Sequence, residues 1–371
     1  DINGDNGDNG DNGDKNESKI NLTVPSSELD VLFSNMKKMN RAVKLFKQQS
    51  TVSLISRFDE FLGSLLKIVL RLHPEWLNSS DKTITYRELV NLESIENAII
   101  GLIHKEVENL LRNSHEEQIT FIDEKLKLGV VDSFTRLSDF LEVAERRNLC
   151  VHTGGIISQQ YLDRCEIFGF KNSDSISVGS SLDIDAEYFN NAFSLCFELG
   201  LRISQAAYRR LFPDKLAEVD KAINHLEIKF LNSGDYNLAE VICDFDLGIP
   251  EKLRSKDVEY FYFARINRAI ARKFAGKEFE PGLQGVHWKA FHPKYELALD
   301  VLHDEYEKAG QAMKSSSIQD SIGKIGFRSW PLFKEFRNTD IFKKSYLEIY
   351  EEEYIPDPQK DLEDDSFSED C

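Results

Sequence analysis

The chain has 371 residues, 41 % of them apolar, enough for two or three domains with a sizeable core. The formal net charge is −18, but residues 1–19 carry −4 and residues 351–371 carry −9, leaving −5 for the body between them. The acidity belongs mostly to the tails, so a broad basic surface is excluded and any nucleic-acid site must be local.

Five cysteines (Cys150, Cys165, Cys196, Cys243 and Cys371) are odd in number, widely spaced and form no CxxC pair. That pattern suits a reducing compartment and offers no zinc cage. No leader peptide and no apolar run of membrane-spanning length are visible, so the expectation is a soluble cytoplasmic protein without a membrane. There is no Gly-rich phosphate loop, no nucleophile elbow and no acidic cluster with metal spacing. Most ATPase, hydrolase and metallonuclease chemistries are thereby excluded, and no cofactor is expected.

Residues 1–25 begin with repeated Asp-Asn-Gly and have nothing to bury, so they are expected to be disordered. Helical patterning starts at Ser26. Lys37, Arg41 and Lys44 recur at i, i+4 and i+7, a basic stripe that reads either as a solvated face or as a contact for a nucleic-acid backbone. Thr51–Leu72 is apolar nearly all round and predicts a buried helix stopped by Pro74. Tyr86–Leu128 predicts one long helix or two, with His104 and His115 on the surface. Glu96 has Leu89, Leu92, Ile99 and Ile103 at i−7, i−4, i+3 and i+7, so it lies on an apolar stripe and needs a partner; Glu93 lies beyond the stripe's edge.

The next helix, Phe134 to His152, carries the chemistry. At about 100° per residue, Phe134, Leu137, Phe140, Leu141, Val143, Ala144 and Val151 fall within one core-facing arc, with Ser138, Asp139, Glu142 and Arg146 opposite. Arg147 and Asn148 break the apolar arc, and His152 sits at its rim, one turn above Asn148. A guanidinium there needs a carboxylate or a cleft. Arg147 and His152 are about 140° apart on a straight helix. They converge on one target only if the helix ends near Gly154-Gly155 or if a second copy completes the site. The alternative is a buried Arg147 paired with an acid, for which Glu96 is the candidate, with His152 near the helix C-terminus as a cap.

Ile156–Cys165 resumes a helical pattern, Lys171–Ser181 is a polar loop, and Ala186–Phe212 is an amphipathic helix ended by Pro213. Beyond Pro213 the helices shorten and pair. Gly234-Asp235-Tyr236-Asn237-Leu238-Ala239 resembles the turn of a tetratricopeptide repeat, and Ile223-Asn224…Phe230…Gly234 is echoed by Ile266-Asn267…Phe274…Gly276. The stripe Arg265, Arg268, Arg272 is expected to pair with acidic partner helices. Trp330-Pro331-Leu332-Phe333 is expected to open a last helix running to about Glu353. The acidic segment 354–371 is expected to be disordered. The prediction is an all-α chain: a helical bundle over 26–212 followed by stacked helical hairpins over 213–353.

Arg147-Asn148-x-x-x-His152, in the context Glu145-Arg146-Arg147-Asn148…Val151-His152-Thr153-x-Gly155, resembles the R-x4-6-H signature of the HEPN superfamily. The resemblance covers roughly residues 50–212. It implies a HEPN-like helical bundle and metal-independent endoribonuclease chemistry of the bacterial defence or toxin kind, with products ending in a 2′,3′-cyclic phosphate. On that resemblance His152 is the general acid or base, Arg147 holds the scissile phosphate and Asn148 orients either. Glu145 and Arg146 support them, and a homodimer formed through the bundle completes the site. Two other functions stay open: a non-catalytic adaptor that dimerises and binds a protein partner on the hairpin domain, and a nucleotide-binding bundle, which the same superfamily includes.

Overall fold

The computed structural model describes residues 26–79, 85, 87, 94–170 and 176–356. The segment 1–25 and the tail from residue 357 on lie outside the described residues; residues 354–356, expected to be disordered with that tail, are described, and the Tyr354 ring packs on Phe342 and Tyr346. The described chain is all-α, as its periodicity predicts. Among the described residues the one β element is an isolated bridge between Ile156 and Ser181. No described helix is long and apolar enough to cross a membrane.

Helix α1 spans Ser26–Leu72, 47 residues and roughly 70 Å at 1.5 Å per residue. The sequence predicts separate segments, but no Pro or Gly falls between Ser26 and Leu62 to separate them. Its C-terminal half enters the core, although Ile68 and Leu72 stay exposed. Helices α2 (Ile95–Leu110) and α3 (His115–Leu126) follow. They are separate because Ser114 starts α3 with a reciprocal capping box to Glu117. Leu89, Leu92 and Glu93 lie outside the described residues.

A single turn, α4 (Val130–Ser133), precedes α5 (Leu137–Thr153). The signature helix thus begins three residues after Phe134, whose ring is buried at the end of α4. Helix α6 (Gln159–Ile167) and the long α7 (Ala186–Leu211) complete this half, capped by Ser158 and Asp185. One core joins Ile55, Phe58 and Leu62 of α1, Ile103 and Val107 of α2, Ile119 of α3, Phe140 and Val143 of α5, and Leu195 and Leu199 of α7.

Helices α8 (Leu216–Ser233) and α9 (Tyr236–Leu247) form a hairpin. Its turn needs Gly234, at φ 80°, and Asp235, whose carboxylate accepts the Leu238 N–H at 3.1 Å. Helix α10 (Glu259–Phe274) packs on both. The internal echo is physical. Ile223 and Ile266 are both fully buried, and the Asn224 and Asn267 amides both donate to Glu227 Oε2, at 3.2 and 2.8 Å. Arg268 pairs with Asp244 at 2.5 Å and Arg272 with Glu240. Helices α11 (Lys294–Leu302), α12 (Tyr306–Ala312), α13 (Ser316–Ser329) and α14 (Asp340–Tyr350) close the stack. Trp330–Phe333 does not open the last helix: Pro331–Phe333 and Phe336–Asn338 are separate 3-10 turns. Phe333, Phe336, Phe342 and Tyr346 supply the capping bulk, and α14 stops at Tyr350. The two halves meet where Leu201 of α7 packs on Ile223, Leu238 and Ile242.

Candidate functional site

Helix α5 ends where the sequence requires. Gly154 and Gly155 adopt φ of 63° and 81°, and the Gly155 N–H closes on the Leu149 carbonyl at 3.0 Å. Gln48 of α1, buried, donates Nε2 to the Gly154 carbonyl at 2.8 Å. The chain then turns back as a strap: the Ile157 N–H meets the Ser180 carbonyl at 2.9 Å and the Leu182 N–H meets the Gly155 carbonyl at 3.0 Å. Ile157, Tyr161, Cys165 and Leu182 of α6 and the strap pack on Leu149 in a small core of their own.

This strap changes the faces of α5. Glu142 and Arg146, expected on the solvent side, are buried beneath it. The Glu142 carboxylate accepts from Arg146 Nε at 2.7 Å, from the Tyr161 hydroxyl at 2.6 Å and from the Tyr188 hydroxyl at 2.9 Å. Arg146 also donates to the Asp183 carbonyl at 3.2 Å and stacks 3.8 Å from the centre of the Tyr188 ring. Burial and the Glu142 charge push both phenols above their ordinary pKa, so they stay protonated donors. Burial alone would lower the Arg146 guanidinium, but Glu142 outweighs it and holds it charged. Arg146 is therefore a structural brace for α5. Val151, expected in the core arc, is half exposed.

Arg147 points the other way, into the seam with α1 and α3. Its Nη2 lies 3.9 Å from Asp59 Oδ2 on α1, and its Nη1 donates to Asn148 Oδ1 at 3.1 Å. Its Nε is buried without a hydrogen bond. The opposing carboxylate is thus Asp59 rather than Glu96, which stands exposed in the first turn of α2. Asp59 is shared: His115 Nε2 meets its other oxygen at 2.8 Å, so His115, expected on the surface, is largely buried. Asp59 carries a signal of the kind that singled out Glu96. Ile55, Leu62 and Leu66 flank it at i−4, i+3 and i+7, and all three are buried. Glu142, Tyr161 and Tyr188 had no such signal, because a solvent face and a face covered by a later strap look alike in sequence.

His152 is exposed and lines a cleft of about 390 Å³ together with Glu145, Asn148, Ser158, Gln160 and Tyr161. Asn148 is the hinge of the arrangement: its Oδ1 serves Arg147, while its Nδ2 donates to Glu145 Oε2 at 3.4 Å. Glu145 also meets Arg164 Nε at 3.4 Å, so it is engaged by Asn148 and Arg164 rather than by the His152 ring. Within one chain, then, Asn148 and His152 share an open cleft while Arg147 lies behind it. The stripe Lys37, Arg41, Lys44 is exposed on α1, with Lys44 Nζ donating to Ser181 Oγ at 2.6 Å. Comparison of the chain with protein-family models, curated proteins and solved structures finds no match in any of the three.

Proposed function

We propose that the chain is a metal-independent endoribonuclease of HEPN type, of the defence or toxin kind, acting on RNA at the cleft beside the end of α5. The observation that carries the reading is the placement of an exposed His152 beside Asn148 in an open cleft, with Asn148 bonded to Arg147 behind it. An imidazole is the side chain best suited to take a proton from a ribose 2′-hydroxyl near neutral pH. The freed 2′-oxygen attacks the adjacent phosphorus, the bond from phosphorus to the 5′-oxygen breaks as that oxygen takes a proton from solvent, and a 2′,3′-cyclic phosphate results. Asn148 orients the phosphate by neutral hydrogen bonds. Arg147 supplies the charge that stabilises the equatorial oxygens, through a planar fork that Lys does not reproduce. Because Arg147 faces away from the His152 cleft within one chain, the reading requires a homodimer in which the two copies share the site.

A second reading is supported by the engagement of Arg147 with Asp59, which alone accounts for a charged side chain at that position. In it the chain is a non-catalytic adaptor, the hairpin half binds a protein partner, and Arg147 is a clamp between helices.

The deciding experiment incubates the purified chain with total RNA in chelator, beside His152→Ala and Arg147→Ala. Cleavage by the wild type alone, leaving cyclic-phosphate ends, upholds the nuclease. Full activity in both variants refutes it. An inactive wild type in which Arg147→Ala merely destabilises the fold transfers the assignment to the adaptor.

A further inference from the structure

The first 18 residues of α1 with described side chains, Leu29 to Phe46, are exposed without exception. Nine of them are large and apolar; Val31, Phe33 and Leu45 lie off any single line, but the other six fall on one seam. Leu29, Leu32, Met36, Met39, Val43 and Phe46 follow one another at intervals of three, four, three, four and three. That is the spacing of the inward positions of a coiled coil, held over six successive positions along about 26 Å of helix. A lone helix exposing Phe46 at 74 % and Met39 at 60 % needs a covering surface.

The root of the helix shows which way this seam points. Lys44 bonds Ser181, Lys47 lies 3.8 Å from Asp183, and Gln48 is buried against Gly154. These residues form the side of α1 that meets the strap and the end of α5, so Phe46 and Ser50 lie on another side of the helix, at the edge of α7. That side continues into a shallow groove lined by Phe46, Ser50, Ser53, Leu54, Phe189 and Phe193.

We propose that this arm is a parallel coiled-coil dimerisation element whose occupant is the same helix of a second copy. The flanking positions argue for self-pairing. In a parallel, in-register pair, Asn35 faces the second copy's Asn40, and Ala42 faces its Lys47, so no like charges meet along the seam. Lys37, Lys38, Arg41 and Lys44 all fall on the outer side of the pair, where their repulsion is screened by solvent. Parallel rather than antiparallel pairing follows from the continuity of the seam with the groove at its root. In that orientation the two grooves meet, and Phe189 and Phe193 are covered as well. The inference stands independently of the nuclease reading, which needs a dimer but does not name the arm.

The test is sedimentation of the full chain up to about 100 µM. The wild type is expected to dimerise. Met36→Glu/Met39→Glu buries charges in the seam of both copies and should weaken the dimer by at least about a hundredfold, while helical content is kept because Glu is a good helix former. Arg41→Glu, on the outer side, should leave the dimer intact. In a second measurement, mild oxidation should cross-link Met39→Cys and not Arg41→Cys beyond the wild-type background. A monomeric wild type, or a dimer that survives Met36→Glu/Met39→Glu, overturns the proposal, and the second result would leave a dimer formed through the bundle untouched. Equal cross-linking at both positions, or none at residue 39, overturns the parallel register. RNA cleavage is read separately, so loss of the arm dimer and loss of the nuclease are distinguishable.

Discussion

The end of α5 offers a perturbation whose size follows from the geometry. Gly154 and Gly155 both have positive φ, so an L side chain at either is disfavoured by about 1–2 kcal/mol. They differ in what surrounds them. A Cβ on Gly154 meets nothing within 4 Å, whereas one on Gly155 would lie 2.5 Å from Gln48 Nε2. Gln48 would have to withdraw, leaving its amide and the Gly154 carbonyl without their 2.8 Å bond, at a further cost of about 1–3 kcal/mol. Gly154→Ala is therefore expected to cost about 1–2 kcal/mol and Gly155→Ala about 2–5 kcal/mol. Urea unfolding followed by circular dichroism at an unchanged m-value measures both. The decisive comparison is Gly155→Ala in a Gln48→Ala background. With the side chain already gone, the substitution should fall back to the conformational cost of about 1–2 kcal/mol, a coupling of about 1–3 kcal/mol between the two positions. Equal costs for Gly155→Ala in the two backgrounds would refute the close approach as the reason for glycine there.

Two further changes test buried polar groups. Glu227 is fully buried; burial first, then the neighbouring Asp246, pushes its carboxyl well above the usual range, against bonds from Asn267, Asn224 and Cys243 that lower it. A raised folded-state pKa favours the fold below the ordinary carboxylate range, and that contribution is lost as pH rises through the raised value. Glu227→Gln should accordingly flatten the pH dependence, gaining in melting temperature on the wild type between about pH 5 and about pH 8; a constant gap across that range would remove Glu227 as the cause. Asp59→Ala leaves both His115 and Arg147 without their shared carboxylate and should cost about 1–3 kcal/mol, with Asp59→Asn less damaging because the amide still meets His115. A loss below about 0.5 kcal/mol in Asp59→Ala would show that the bridge contributes little.

What the sequence reveals here divides along a physical line. The helices, the stop at Pro213, the glycine-ended helices α8 and α10 and the C-terminus of α5 are local: each follows from residues within one or two turns. The need of Arg147 for a carboxylate is local too, but the identity of that carboxylate is not. Asp59 and Glu96 satisfy one and the same pattern rule, and only the packing of α1 on α5 selects Asp59. The covered face of α5 is less legible still. Glu142 and Arg146 follow a polar spacing that suits solvent, and nothing within the helix announces that Tyr161, Asp183 and Tyr188 will close over them. Equally, the exposure of Leu29 to Phe46 is invisible to a hydrophobicity pattern, which marks what needs covering and not whether the same chain covers it.

The root of the arm and the end of the signature helix are one structural joint. Gln48 holds the Gly154 carbonyl, Lys44 and Lys47 hold the strap at Ser181 and Asp183, and the strap in turn covers Glu142 and Arg146. Each contact ties α1 either to Gly154, where α5 stops, or to the strap beside it. A rotation of α1 about its axis would therefore break the cap on Gly154 and turn the Leu29–Phe46 seam at the same time. The Asp59 bridge to Arg147, a further three turns along α1, is a second tie from the same helix to the cleft, through the bond of Arg147 to Asn148.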